Sequence, residues 1–245
     1  MPADVAHSTS WDLIVALLAI AVMAVGSAFQ AAVGIGLALC VVPLLAILDP
    51  AYIPGPMLMA GAVLAVATAL RERHAIDLPG LGLSLAGLVA GTVIGALALK
   101  ALSATALPKA FGMLVLLAVL ISIVGPRVRA CAMSSLLAGS AAGIMGTMVG
   151  IHGPPIALLF QNAEPATARA TLGAFFAAAY LGSVAALAAV GLFGWPQFIR
   201  AVVLLPGVGL GVLAAPRLAP YVDRTRLRWA MLASSALSAV ILLMR

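Results

Sequence analysis

Apolar residues run along this chain in blocks too long for a soluble core, and clusters of glycine and proline interrupt them at two places. Residues 13–48 form one such block, 36 positions without a charge. As a single helix it would be about 54 Å long, against a bilayer core of about 30 Å. As two full spans with a turn it is slightly short. The pattern therefore predicts a helix, a turn over residues 30–36 (Gln30-Ala-Ala-Val-Gly34-Ile-Gly36), and a shorter returning helix closed by Asp49-Pro50.

Three spans are predicted next. One covers 57–70 and stops at Arg71-Glu72-Arg73-His74. The second covers 78–99, with Gly87, Gly91 and Gly95 at a four-residue spacing that puts small residues on one helix face. Such a face allows close packing against a neighbouring helix, or it lines a substrate path. The third covers 108–124 and ends at Gly125-Pro126-Arg127-Val128-Arg129.

The second half repeats this plan. Residues 130–163 hold His152 as the only group that titrates near neutral pH, and four glycines and two prolines break the stretch 143–162. Glu164-Pro165 closes it as Asp49-Pro50 closed the first, 115 positions later, and Val149-Gly150-Ile151 matches Val33-Gly34-Ile35 at an offset of 116. Spans follow at 171–190, at about 195–215 and at 229–244. Each half reads as a broken hairpin followed by three spans, with the first repeat over about 11–125 and the second over about 130–245.

Composition agrees with a membrane interior: 64% of residues are hydrophobic, 8% are charged, and the mean hydropathy is +1.23. A soluble domain carries about 25% charged residues. The expected fold is an all-α polytopic membrane protein of about 8–10 hydrophobic helical elements, and a single membrane domain takes residues 1–245. The formal charge of +6 reflects loop lysines and arginines rather than a nucleic-acid partner. Asp4, His7 and Asp12 precede the first block without any Lys or Arg, so that block is expected to be a retained span rather than a signal peptide.

The basic loops also set a parity. Arg71/Arg73, Arg127/Arg129 and the stretch from Arg217 to Arg228 hold eight of the thirteen Lys and Arg. If each half crosses an odd number of times, all three loops fall on one side, the cytoplasm, and the halves are inverted. Lys100 and Lys109 run against the rule.

The breaks concentrate the candidate chemistry. Pro154 and Pro155 can open a helix, and Gly150 and Gly153 permit the turn before it, so a helix start inside the membrane would offer NH groups to an anion. The other reading is a kink needed for packing. His152 suits a proton-coupling group or an anion donor, or a polar residue bonded to a nearby carbonyl. As a zinc ligand it is poor, because His7 and His74 lie near loops and no Cys or carboxylate cluster accompanies it. Arg169 could face the substrate, snorkel, or pair with Glu164. Gln30, Gln161 and Asn162 carry amides that lipid cannot satisfy. Ser27 and Thr147 are expected to bond back to their own helices.

These residues carry a resemblance over the full length. Gly150-x-x-Gly153-Pro154-Pro155, then Gln161, then Arg169-Ala170-Thr171-Leu172 resemble the second-half pattern of the sulfite exporter TauE/SafE family, also called toluenesulfonate uptake permeases. Gly34-x-Gly36 and Pro43 keep the first-half outline. Leu37 and Ala38 stand where many members have glycine, and His152 replaces another. The resemblance implies a multi-pass transporter in a bacterial inner membrane, moving sulfite, a sulfonate or a related organosulfur anion. The expected substrate contacts are Gln30, Gly34, Gly36, Gly150, His152, Gly153, Pro154, Gln161 and Arg169, with no cofactor and no metal. The lipid bilayer is the other partner. No phosphate-binding G-x-x-x-x-G-K-[ST] loop is present, so proton or ion gradients, or the substrate's own gradient, remain as drivers. Two other classes stay open, a channel or membrane scaffold and an intramembrane enzyme. The second would need a G-x-S-x-G or H-E-x-x-H motif that the chain lacks.

Overall fold

The structure is a computed structural model describing residues 3–33, 36–71, 73–103, 105–125, 128–129, 131–218 and 224–244. Helix makes up 86% of it. Among the described residues the helices run α1 (Ala3–Val33), α2 (Leu37–Leu48), α3 (Gly55–Arg71), α4 (Leu78–Ala101), α5 (Leu107–Val124), α6 (Ala132–Val149), α7 (Gly153–Ala157), α8 (Pro165–Ala189), α9 (Trp195–Leu218) and α10 (Arg224–Leu243). Six apolar stretches among them are long enough to cross a bilayer, and α2, α3 and α10 carry shorter ones. The protein is an all-helical, polytopic membrane protein.

Both breaks fall between the helices where glycine and proline placed them, with two shifts. Helix α1 continues to Val33, so Gln30 stays within it, and residues 34–35 of the expected turn lie outside the described residues. Helix α8 starts at Pro165, six residues before the predicted span. The reason is local. Glu164 is its N-cap, accepting hydrogen bonds from the backbone NH of Ala166 (3.0 Å) and Thr167 (3.1 Å), and Pro165 takes the first helical position, where no NH is required.

The two halves pack as counterparts. Helix α1 lies along α9 as α6 lies along α4; α3 meets α8, α5 meets α10, and the short returning helices α2 and α7 rest on α10 and α5. Small residues set the closest pairs. A Cβ on Gly87 would stand 2.1 Å from the carbonyl O of Leu136, and one on Gly91 would stand 2.0 Å from that of Ser140. From the other side Gly139 meets the Ser84 carbonyl and Gly143 the Leu88 carbonyl. The α4 glycines therefore pack helix on helix, and the substrate-path alternative does not apply to them. The contacts advance together along both chains, so α4 and α6 run parallel. Gly207 against Ile20 and Gly211 against Ala24 make the same parallel contact between α9 and α1.

Pro43 sits inside α2 and cannot donate to the carbonyl of Leu39 four residues earlier. The buried hydroxyl of Ser235 on α10 donates to that carbonyl instead. Within a membrane such a freed backbone group needs a protein partner, and α10 supplies it.

The Asp77 NH, at the start of α4 just after Arg71 and Arg73, donates to Thr171 Oγ1 on α8 at 2.9 Å. Asp77 and Arg129 border one hollow, and Gly125 at the end of α5 shares another with Thr225 near the start of α10.

Candidate functional site

Gly150 ends α6 with a left-handed φ of 85°, and its NH donates to the Gly146 carbonyl at 2.7 Å. A Cβ there would lie 3.1 Å from Val42 Cγ2 and 3.5 Å from Met57 Sδ, so the second break abuts α2 and α3 of the first half. Gly36 has φ 115°, which disfavours any residue with a side chain, and the Phe29 ring fills the place its Cβ would take. The two breaks are thereby packed into the middle of the bundle.

A cavity of about 800 Å³ opens between them. Gln30 and Phe29 of α1, Gly36, and Gly153 and Pro154 at the start of α7 form its inner wall. The rest of the wall includes Gln161, Arg169 and Phe176 of α8, residues 122–125 at the end of α5, and Thr225 and Trp229 of α10. Six of the nine predicted contacts thus come together: Gln30, Gly36, Gly153, Pro154, Gln161 and Arg169. Gln30 is buried, Arg169 is half-buried and Gln161 is exposed.

The other three stand apart. Gly34 lies outside the described residues. Gly150 shapes the break without entering the cavity wall, and His152 points away from the cavity although its neighbours Ile151 and Gly153 line it. His152 is fully buried and its ring rests on the bare backbone of Gly146. Its Nε2 is 3.1 Å from Ser183 Oγ, which is 2.8 Å from Thr147 Oγ1. Tyr180 meets the imidazole edge-on at 5.1 Å and lines the cavity on its other side. Thr147 therefore bonds across to α8 rather than to its own helix, and the buried Ser27 hydroxyl has no partner. No group of three His, Cys, Asp or Glu residues able to hold a metal occurs among the described residues.

Helix α7 is one turn of five residues, and two of its first three residues are prolines without an NH. So short a helix cannot develop the terminal charge expected of a longer one, and it offers few donors. Among the described residues the positive charge in the cavity wall comes from Arg169. Its field also reaches Glu164, whose carboxyl is held below the usual carboxylate range chiefly by the Ala166 and Thr167 NH groups, with Arg169 adding to them.

Phe29, Phe160, Phe176, Tyr180 and Trp229 all line the cavity, and nothing in the sequence singled them out. They arrive from four separate segments, so only the packing brings them together.

A family model described as "Sulfite exporter TauE/SafE" matches residues 18–242, nearly the whole chain. The chain belongs to the TauE/SafE family. This makes it a membrane transporter of the sulfite and sulfonate class. The matched span takes in both broken hairpins and all of the cavity residues named above. No curated protein and no solved structure matches the chain. The site in this TauE/SafE protein therefore has to be read from its own residues.

Proposed function

We propose that this protein is a secondary transporter that binds a small organosulfur anion, sulfite or a sulfonate, in the cavity between the two broken hairpins. The observation that carries the reading is one guanidinium, Arg169, in the wall of a cavity that reaches the packed glycine breaks. Arg169 pairs with the anionic oxygens, and the amides of Gln30 and Gln161 donate hydrogen bonds to them. Gly36 and Gly153 keep side chains out of the way, so the substrate approaches backbone. Among the described residues no Asp or Glu lines this cavity to repel an anion.

Alternating access follows from inverted halves. Two observations support the reading: the halves pack as counterparts, and α4 and α9 each run parallel to the first helix of the other half. Basic loops mark the cytoplasmic face. On that orientation the cavity is open to the cytoplasm, and rocking of one half against the other exposes it to the opposite side. The location is the cell membrane, the inner membrane of a bacterium.

The test is flux by purified protein in liposomes across sulfite, thiosulfate, sulfoacetate and alkyl and aryl sulfonates. Saturable movement of one of these classes is expected. If none moves, the proposal fails; if movement is unsaturable, the protein is a channel.

A further inference from the structure

Behind the cavity wall lies a polar cluster that anion binding does not use. We infer that His152, with Ser183, Thr147 and Tyr180, is the proton-binding site that couples anion movement to a proton gradient. The inference rests on the reading of the cavity as an anion site.

The placement of His152 leads there. An ionisable side chain deep in a membrane protein is costly and marks a proton or ion path. His152 is 0% exposed, its Nε2 meets the Ser183 hydroxyl, and the Gly150 backbone is a further hydrogen-bonding neighbour of the ring. His152 also sits within the break itself, between the ends of α6 and α7, where the backbone changes direction.

The surroundings decide what the proton needs. Tyr180 on α8 is the titratable group touching the imidazole, and Ser183 on α8 and Thr147 on α6 are neutral hydroxyls. Val42 of α2 and Met57 of α3, which pack against the break at Gly150, do not titrate. Among the described residues no Asp, Glu, Lys or Arg is buried. A protonated His152 therefore faces no protein carboxylate, and an uncompensated buried cation is strongly disfavoured. The anion in the cavity is what compensates it. Ile151 and Gly153, one residue to either side, both line that cavity.

Binding of each ligand therefore favours the other, as linkage requires. The balanced step is uptake of one proton from the bulk solution, relayed through cavity water, by the neutral His152 imidazole as one anion binds, and release of both on the opposite side. Tyr180 separates the imidazole from the cavity and makes proton entry depend on its position. For a monovalent sulfonate the pair carries no net charge.

Toluenesulfonate suits the test because it stays ionised throughout the working pH range, so any proton counted belongs to the protein. Wild-type proteoliposomes given an inward proton gradient should accumulate it, approaching about tenfold per pH unit at equilibrium, with matching proton uptake seen by a pH dye. His152→Gln should lose both the accumulation and the dye signal, and any toluenesulfonate movement left should ignore the gradient. Wild-type counterflow that ignores the gradient would overturn coupling and leave the transporter reading standing. Absence of counterflow would overturn both. A His152→Gln protein that still couples would remove the assignment to this residue. Should that variant not assemble, Ser183→Ala removes the Nε2 partner and must move the pH of half-maximal accumulation; an unmoved profile would overturn the inference.

Discussion

Replacing Gly91 by alanine tests the packing that positions the cavity. The added Cβ would lie 2.0 Å from the Ser140 carbonyl O, where ordinary contact begins at 3.4 Å, a shortfall of about 1.4 Å. The blocking atom is backbone, so no rotamer change relieves it and α4 and α6 must separate. Overpacking of this kind costs about 1–3 kcal/mol, and the upper figure applies because Gly87, Gly139 and Gly143 would lose their close contacts too. Separation also breaks the hydrogen bond from Ser140 Oγ to the Gly87 carbonyl (3.1 Å), worth about 0.6 kcal/mol within a membrane. Alanine's better helix propensity returns about 1 kcal/mol. The net expectation is a destabilisation of about 2–3 kcal/mol, or roughly 4–12 °C in Tm for a chain of this size. Thermal unfolding in detergent can be followed with a thiol-reactive dye, because Cys40 is buried and Cys131 is exposed and reacts at the outset. Gly209→Ala is the control, since nothing lies within 4 Å of its Cβ position. Equal Tm values for the two variants would refute the reasoning.

Three further outcomes are expected. Gly150→Ala forces a left-handed backbone on a residue with a side chain, costing about 1–2 kcal/mol, and should lower flux; transport kinetics identical to wild type would show that the break tolerates a side chain. Glu164 has a depressed carboxyl in the folded protein, so its contribution to stability is complete above the ordinary carboxylate range and is lost as pH falls through the folded value. Glu164→Gln should flatten that acid limb in detergent melts, and an unchanged limb would dismiss the cap. The Cys131 thiol is held below its usual value by the Ser134 hydroxyl and backbone NH, which favours thiolate and reaction. A membrane-impermeant maleimide should label Cys131 in inside-out vesicles and not in intact cells. Labelling in intact cells would reverse the orientation.

Much of the fold was legible because glycine and proline mark where an apolar helix must stop. Gly36 and Gly150 adopt the left-handed backbone that glycine permits, the first where α2 begins and the second where α6 ends. The start of α8 was harder to place, since Glu164-Pro165 reads equally well as the close of one element or the cap of the next. The cavity was half legible. Gln30, Gln161 and Arg169 stand out as polar residues in apolar sequence, whereas Trp229 and Phe176 resemble any other apolar span residue until α8 and α10 pack. His152 was visible, but not the side to which its ring turns. That is fixed by Gly146, whose missing side chain leaves the ring its place, and by Ser183 on another helix.

The central claim is that an anion binds at Arg169 between the two breaks, and the dependence of flux on substrate concentration tests it most directly. A charge-assisted hydrogen bond is worth about 1.5–3 kcal/mol, which corresponds to a rise in KM of about tenfold to a hundredfold when the guanidinium is removed. Saturable toluenesulfonate or sulfite counterflow in proteoliposomes, with KM raised by that factor in Arg169→Ala, is the expected result. An Arg169→Ala protein with the KM of wild type would contradict the account.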